Sequence, residues 1–100
     1  MVKHVILWTL KEEFSPEQKI AIKADIKREL EALAGQMPGL LDIRVNVDPL
    51  PSSNADLMLD SSFESEAALK AYAIHPAHVA AADGFVRPFT ATRLCLDFEV

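Results

Sequence analysis

The sequence predicts an α+β fold of ferredoxin-like type: one four-stranded antiparallel sheet with two helices on one face, in the order β-α-β-β-α-β. Three observations carry this reading. Four segments rich in β-branched and large apolar residues, several with two-residue alternation, read as strands. Two segments between them open with a capping serine and then repeat apolar residues at helical spacing. The chain is 100 residues with no repeat and no linker, so residues 1–100 form one domain.

Residues 2–10 (VKHVILWTL) form the first strand. Its apolar residues fall on both faces: Val2, Ile6, Trp8 and Leu10 on one, Val5 and Leu7 on the other. Such a strand is usually covered on both sides. Ser15 then caps a helix, with Pro16 at its first position and Gln18 completing a capping box. That helix is expected to run to about Ala34, where Gly35 ends it in a left-handed conformation. Ile22, Ile26, Leu30 and Leu33 make its buried stripe.

A turn at Met37-Pro38-Gly39-Leu40 leads into a second strand over residues 41–48. There Leu41, Ile43, Val45 and Val47 face one way, and Asp42, Arg44, Asn46 and Asp48 the other. After a Pro/Ser-rich loop, the third strand spans residues 55–63, with Leu57, Leu59 and Phe63 inward. Ser65 caps the second helix, which carries Leu69 and Tyr72 and ends near Ile74, because Pro76 disfavours helical backbone at His75. A new turn starts at Pro76, passes through His78 and closes at Asp83-Gly84. The last strand, residues 91–98, places Leu94, Leu96 and Phe98 on one face.

With helices on one face, parity puts Val5, Leu7, Met58 and Cys95 at the middle of the other. Asp42, Arg44, Asp60, Arg93 and Asp97 ring them. An apolar centre with a polar rim is the pattern of an interface, so this face is expected to pair with a second copy of the chain.

Composition narrows the function classes. Half the residues are hydrophobic and the net charge is −5, with acidic and basic residues interspersed. No basic run tracks a phosphate backbone, so no nucleic-acid partner is expected. Nothing approaches the length of a membrane span, and the apolar run from Val5 to Leu10 reads as strand rather than leader. The single cysteine, Cys95, cannot form an internal disulfide and fits a reducing, cytoplasmic compartment.

Val2-Lys3-His4, Phe63-Glu64-Ser65, Ala71-Tyr72-Ala73-Ile74-His75-Pro76-Ala77-His78-Val79 and Asp97-Phe98 together resemble the stress-responsive A/B barrel (Dabb) family over the whole chain. The resemblance implies a homodimer in which two sheets face each other, giving a dimeric α/β barrel. It also implies a pocket. In a plant polyketide cyclase of this family, the catalytic His and the Tyr beside it match His78 and Tyr72, and a pocket-lining first-strand His matches His4. Where that enzyme has aromatic residues on the first helix, this chain has Ile22 and Ile26. It also carries the bulkier Trp8, so the cavity is expected to differ in shape.

His78 near a helix start, and buried, is held neutral and able to act as a general base toward a proton next to a carbonyl. Tyr72 can polarise that carbonyl. His4, Ile6, Trp8, Ile22, Ile26 and His75 are the candidate substrate-binding residues, with His75 also placed to cap the Pro76 turn. The expected partner is a small, apolar, carbonyl-bearing ligand. No organic-cofactor motif is present. No metal site is expected either, since no cysteine or carboxylate completes a set with His75 and His78. The same residues fit a second reading, a stress-response or ligand-binding dimer without catalysis.

Overall fold

The computed structural model describes residues 1–100. Its order is β1 (Val2–Leu10), α1 (Pro16–Glu31), β2 (Leu40–Asn46), β3 (Leu57–Phe63), α2 (Glu66–Ile74), α3 (Pro76–Ala81) and β4 (Thr90–Glu99), with a π turn over Ala82–Val86 between α3 and β4. The strands lie in the order β2-β3-β1-β4, and every neighbouring pair is antiparallel. This is the ferredoxin-like sheet that the sequence predicts. The sheet of a single chain is open, with β2 and β4 as its edges. No helix is long and apolar enough to cross a membrane.

Local chemistry explains the helix boundaries. Ser15 Oγ accepts from Gln18 N–H at 3.1 Å, and Gln18 Oε1 accepts from Ser15 N–H at 2.8 Å. These two bonds satisfy amides that helix geometry leaves free. Ile22, Ile26 and Leu30 are buried under the sheet. Regular helix stops at Glu31, three residues earlier than periodicity predicts. There Leu33 and Ala34 donate to the carbonyls three residues back, which tightens the chain into turns. Leu33 stays buried, and Gly35 takes φ +79° as expected.

The second strand departs from simple alternation. Leu40 pairs with Phe63 and Asp42 with Ser62, so a bulge falls at Leu41, which is 52% exposed. Leu40, packed against the core, takes the inward place expected of Leu41, while Ile43 and Val45 are buried as predicted. Just before it, Gly39 has φ +81° and sits where a Cβ would lie 2.5 Å from Ala68 Cβ of α2.

The second helix begins at Ser65, whose Oγ accepts from Ala68 N–H at 3.1 Å. His75 is extended (φ −66°, ψ 134°), as a residue before proline should be, and separates α2 from α3. The segment after Pro76 is more than the predicted turn. It is helical to Ala81 and then widens, with Arg87 N–H bonding to Ala82 O. Asp83-Gly84 lies inside this widened turn rather than closing it.

The largest difference concerns β4. Its register sets Glu99 beside Val2, Asp97 beside His4, Cys95 beside Ile6 and Arg93 beside Trp8. These residues therefore share the helix side of the sheet. Leu94, Leu96 and Phe98 pair with Leu7, Val5 and Lys3 and lie on the opposite face. The two sets are the reverse of the sequence expectation. Neighbouring residues across an antiparallel pair point to the same face, so register with β1, not the apolar pattern of β4, decides the matter.

Candidate functional site

Because the helix layer does not cover β4, a cleft of about 890 Å³ opens between the inner faces of β1 and β4 and the helical segment from α2 to the π turn. Ile6, Trp8, Leu59, Leu69 and Val86 supply apolar wall, and His4, Tyr72 and His78 line the same space. An apolar cavity with a few polar groups is the usual form of a small-molecule site.

His78 is half-buried at the third position of α3. Its Nδ1 lies 3.2 Å from Ala73 O and, in the neutral ring, donates to that carbonyl. Nε2 is then the ring's acceptor. Burial holds the imidazole below its ordinary range. The Ala73 bond partly opposes this, while Arg87, His4 and Arg93 reinforce it.

Tyr72 stacks at an angle on His78, with ring centroids 4.3 Å apart, and packs edge-on against Phe63 at 5.0 Å. It is 3% exposed, and its hydroxyl finds no hydrogen-bond partner within the protein. Burial pushes its pKa up to about 12, so the phenol is a proton-bearing donor at neutral pH.

His4 is buried on the inner face of β1, where its Nδ1 is in hydrogen-bond contact with Asp97 Oδ1. Ser61 Oγ donates to His4 O at 2.8 Å and ties β3 to this part of β1. Cys95 Sγ lies 3.7 Å from His4 Nδ1 and 3.5 Å from Asp97 Oδ1. Burial and then the neighbouring Asp97 charge push the Cys95 thiol up.

Thus the structure brings His4, Ile6, Trp8, Tyr72 and His78 to one cleft. It does not bring Ile22, Ile26 or His75 there. Ile22 and Ile26 are spent on the core under α1, whose only contribution to the cleft wall is Leu30. His75 Nδ1 accepts from Ala77 N–H at 3.1 Å and caps α3. Asp97, Cys95 and Arg93 were expected on the far face and line the cleft instead. Beside His4 the structure sets one cysteine and one carboxylate, Cys95 and Asp97, a grouping that the sequence reading of His75 and His78 does not reach. Pairing β4 against β1 residue by residue is the only sequence signal that finds them.

Fold and cleft define a small α+β protein with a ferredoxin-like sheet and a pocket under its second helix. The chain belongs to the stress-responsive A/B barrel domain (Dabb) family, whose profile matches residues 2–100. Among solved structures it is similar to a dimeric protein of unknown function and ferredoxin-like fold from Bacteroides fragilis. The two are 30% identical with a TM-score of 0.92, over 99% of this chain and 95% of that one. An Arabidopsis thaliana protein is 25% identical with a TM-score of 0.79, over 100% and 95%. A hydroxynitrile lyase from Passiflora edulis shares the fold at 20% identity and a TM-score of 0.71, over 97% and 90%. No curated protein sequence matches.

Proposed function

We propose that the cleft binds a small, largely apolar carbonyl compound, and that His78 removes a proton from the carbon beside that carbonyl. The observation that carries this is the tethered imidazole. With Nδ1–H donated to Ala73 O, Nε2 is the basic atom, and a depressed pKa keeps it unprotonated at neutral pH. The C–H bonding pair moves into the carbonyl as the proton passes to Nε2, leaving an enolate. Tyr72 has a buried, proton-bearing hydroxyl without a partner in the protein, the donor such an oxygen needs. His4, fixed by Asp97, orients the ligand. Cyclisation, isomerisation or a lyase step all begin from this enolate, and none of them requires an organic cofactor.

The test is hydrogen–deuterium exchange at the central carbon of a medium-chain β-diketone, followed by NMR in D₂O. Wild type should exceed the buffer rate, and His78→Ala should return to it while melting normally. An equal rate in the two proteins would leave His78 without this role and favour simple ligand binding, which Trp8 fluorescence reads directly.

The same reading includes a homodimer, in a cytoplasmic setting that suits a lone free thiol. Leu7, Leu94, Leu96 and Phe98 are exposed on the helix-free face, Leu94 by 71% and Leu96 by 63%. Val5 and Met58 join them by register. Contiguous exposed apolar side chains of this kind mark an association surface. Two sheets meeting there would close a barrel, and the Bacteroides fragilis relative is itself dimeric. Leu96→Lys should give a folded monomer by light scattering, whereas an unchanged mass would move the interface elsewhere.

A further inference from the structure

At the end of the cleft where β1 lies against β4, three side chains direct donor atoms to one spot. His4 Nδ1, Cys95 Sγ and an Asp97 carboxylate oxygen lie within 4.8 Å of one another. Two readings compete for this arrangement. A thiol–imidazole–carboxylate relay needs the thiol on one ring nitrogen and the carboxylate on the other. Here both approach Nδ1.

A shared cation fits better. Zinc sits about 2.3 Å from sulfur and about 2.0–2.1 Å from nitrogen or oxygen, and in a tetrahedron this spaces sulfur about 3.5 Å from the other donors. The observed spacings are 3.7 Å to Nδ1 and 3.5 Å to Oδ1. The remaining pair, Nδ1 and Oδ1, is in hydrogen-bond contact and must open as a metal replaces the proton they share.

We propose that His4, Cys95 and Asp97 form a three-ligand site for a divalent cation of the zinc class, with its fourth position open to the cleft. The donor set favours this class: thiolate and imidazole suit zinc, whereas calcium and magnesium seek six or more oxygens. Thiolate and carboxylate together balance the charge of a dication. Arg93, on the same face of β4 and felt by the thiol, offsets part of that attraction and keeps the affinity moderate. A second observation is independent of the cluster. Tyr72 lines the same cleft, its ring lies edge-on to His4 at 6.3 Å, and its buried hydroxyl has no partner in the protein. A water or carbonyl oxygen on the open metal position would give it an acceptor. The site does not depend on His78 acting as a base.

The test uses the full chain after chelator treatment, titrated with Co²⁺ and then Zn²⁺. Wild type should develop a near-ultraviolet thiolate-to-cobalt band and the strong visible absorption of four-coordinate cobalt, both displaced by one equivalent of Zn²⁺. Cys95→Ser should lose the near-ultraviolet band and bind Zn²⁺ at least about tenfold more weakly, and Asp97→Asn should also weaken it, by about 10-fold. Circular dichroism checks that both variants fold. His75→Ala and His78→Ala should bind as wild type does. The proposal is overturned by a wild-type spectrum without the thiolate band, by undiminished Zn²⁺ affinity in Cys95→Ser, or by binding that follows His75 or His78 instead.

Discussion

Tyr72→Phe is the sharpest single perturbation. The substitution keeps the ring, and so keeps the contacts with Phe63 and His78 at 5.0 and 4.3 Å. It removes only a hydroxyl that is buried and unpartnered within the protein. Leaving a polar group in that state costs about 1–3 kcal/mol. Deleting it should therefore raise stability by about 1 kcal/mol, which in a domain of this size moves Tm upward by roughly 4–8 °C. Tyr72→Ala, by contrast, empties the ring's space and should cost about 3–5 kcal/mol. Thermal denaturation followed by circular dichroism reads both. If the hydroxyl serves the developing enolate, the stabilised Phe variant should lose about 100-fold or more in α-proton exchange. A gain in stability with a loss of function is the signature of a group kept for chemistry. A Phe variant that melts below wild type would mean the hydroxyl is satisfied in the native state. One that exchanges as fast as wild type would remove Tyr72 from the reaction.

The remaining predictions concern pH and backbone. Burial holds His78 below its ordinary value of 6.5, so the exchange rate should be flat through neutrality and fall with one proton at a midpoint under 6.5; a midpoint above that value would contradict the burial argument. The sign for stability follows from the same shift. Between the two pKa values the unfolded chain binds more protons than the native one, so the contribution of neutral His78 is complete above pH 6.5 and is lost as pH falls through the folded value. Urea unfolding at about pH 7.5 and about pH 5.0, roughly one unit above and one and a half below the ordinary value of 6.5, should show a smaller difference for His78→Gln than for wild type. Gly39→Ala should cost about 2–4 kcal/mol, from a left-handed backbone and a forced approach to Ala68. Gly35→Ala has the same backbone sign but open space around it, and should cost only about 1–2 kcal/mol. Equal losses in urea unfolding would show that α2 yields to the extra methyl at no cost.

Local signals carried most of the fold into the sequence. Ser15 with Gln18, Ser65 and the His75-Pro76 pair act over three or four residues, and each does in the structure what its chemistry predicts, whereas Gly35 takes its left-handed backbone only after α1 has already given way to turns. The apolar stripe of α1 is equally legible, but it cannot say what it packs against. Ile22 and Ile26 read as well for a pocket wall as for a core, and the core claims them. Leu41 shows the same limit on a smaller scale, since a bulge beside it shifts parity without any change in composition.

The candidate cleft was hidden for a related reason, and β4 shows why. An alternating strand announces that it has two faces, not which of them the helices cover. Leu94, Leu96 and Phe98 look like the core side because apolar side chains normally seek cover. Yet β4 is an edge strand beyond the reach of α2, so its helix side is an open cleft. An open cleft tolerates Arg93, Cys95, Asp97 and Glu99, while the opposite face, where a second copy can dock, is where Leu94 and Leu96 gain by being apolar. On the proposed readings, the polarity of β4 is the inverse of a buried strand's because both of its covers would lie outside the single chain's core: a ligand or ion on one side and another sheet on the other. Substitutions at odd and even positions of this strand should accordingly separate, with Leu96→Lys changing mass but not metal binding and Cys95→Ser doing the reverse.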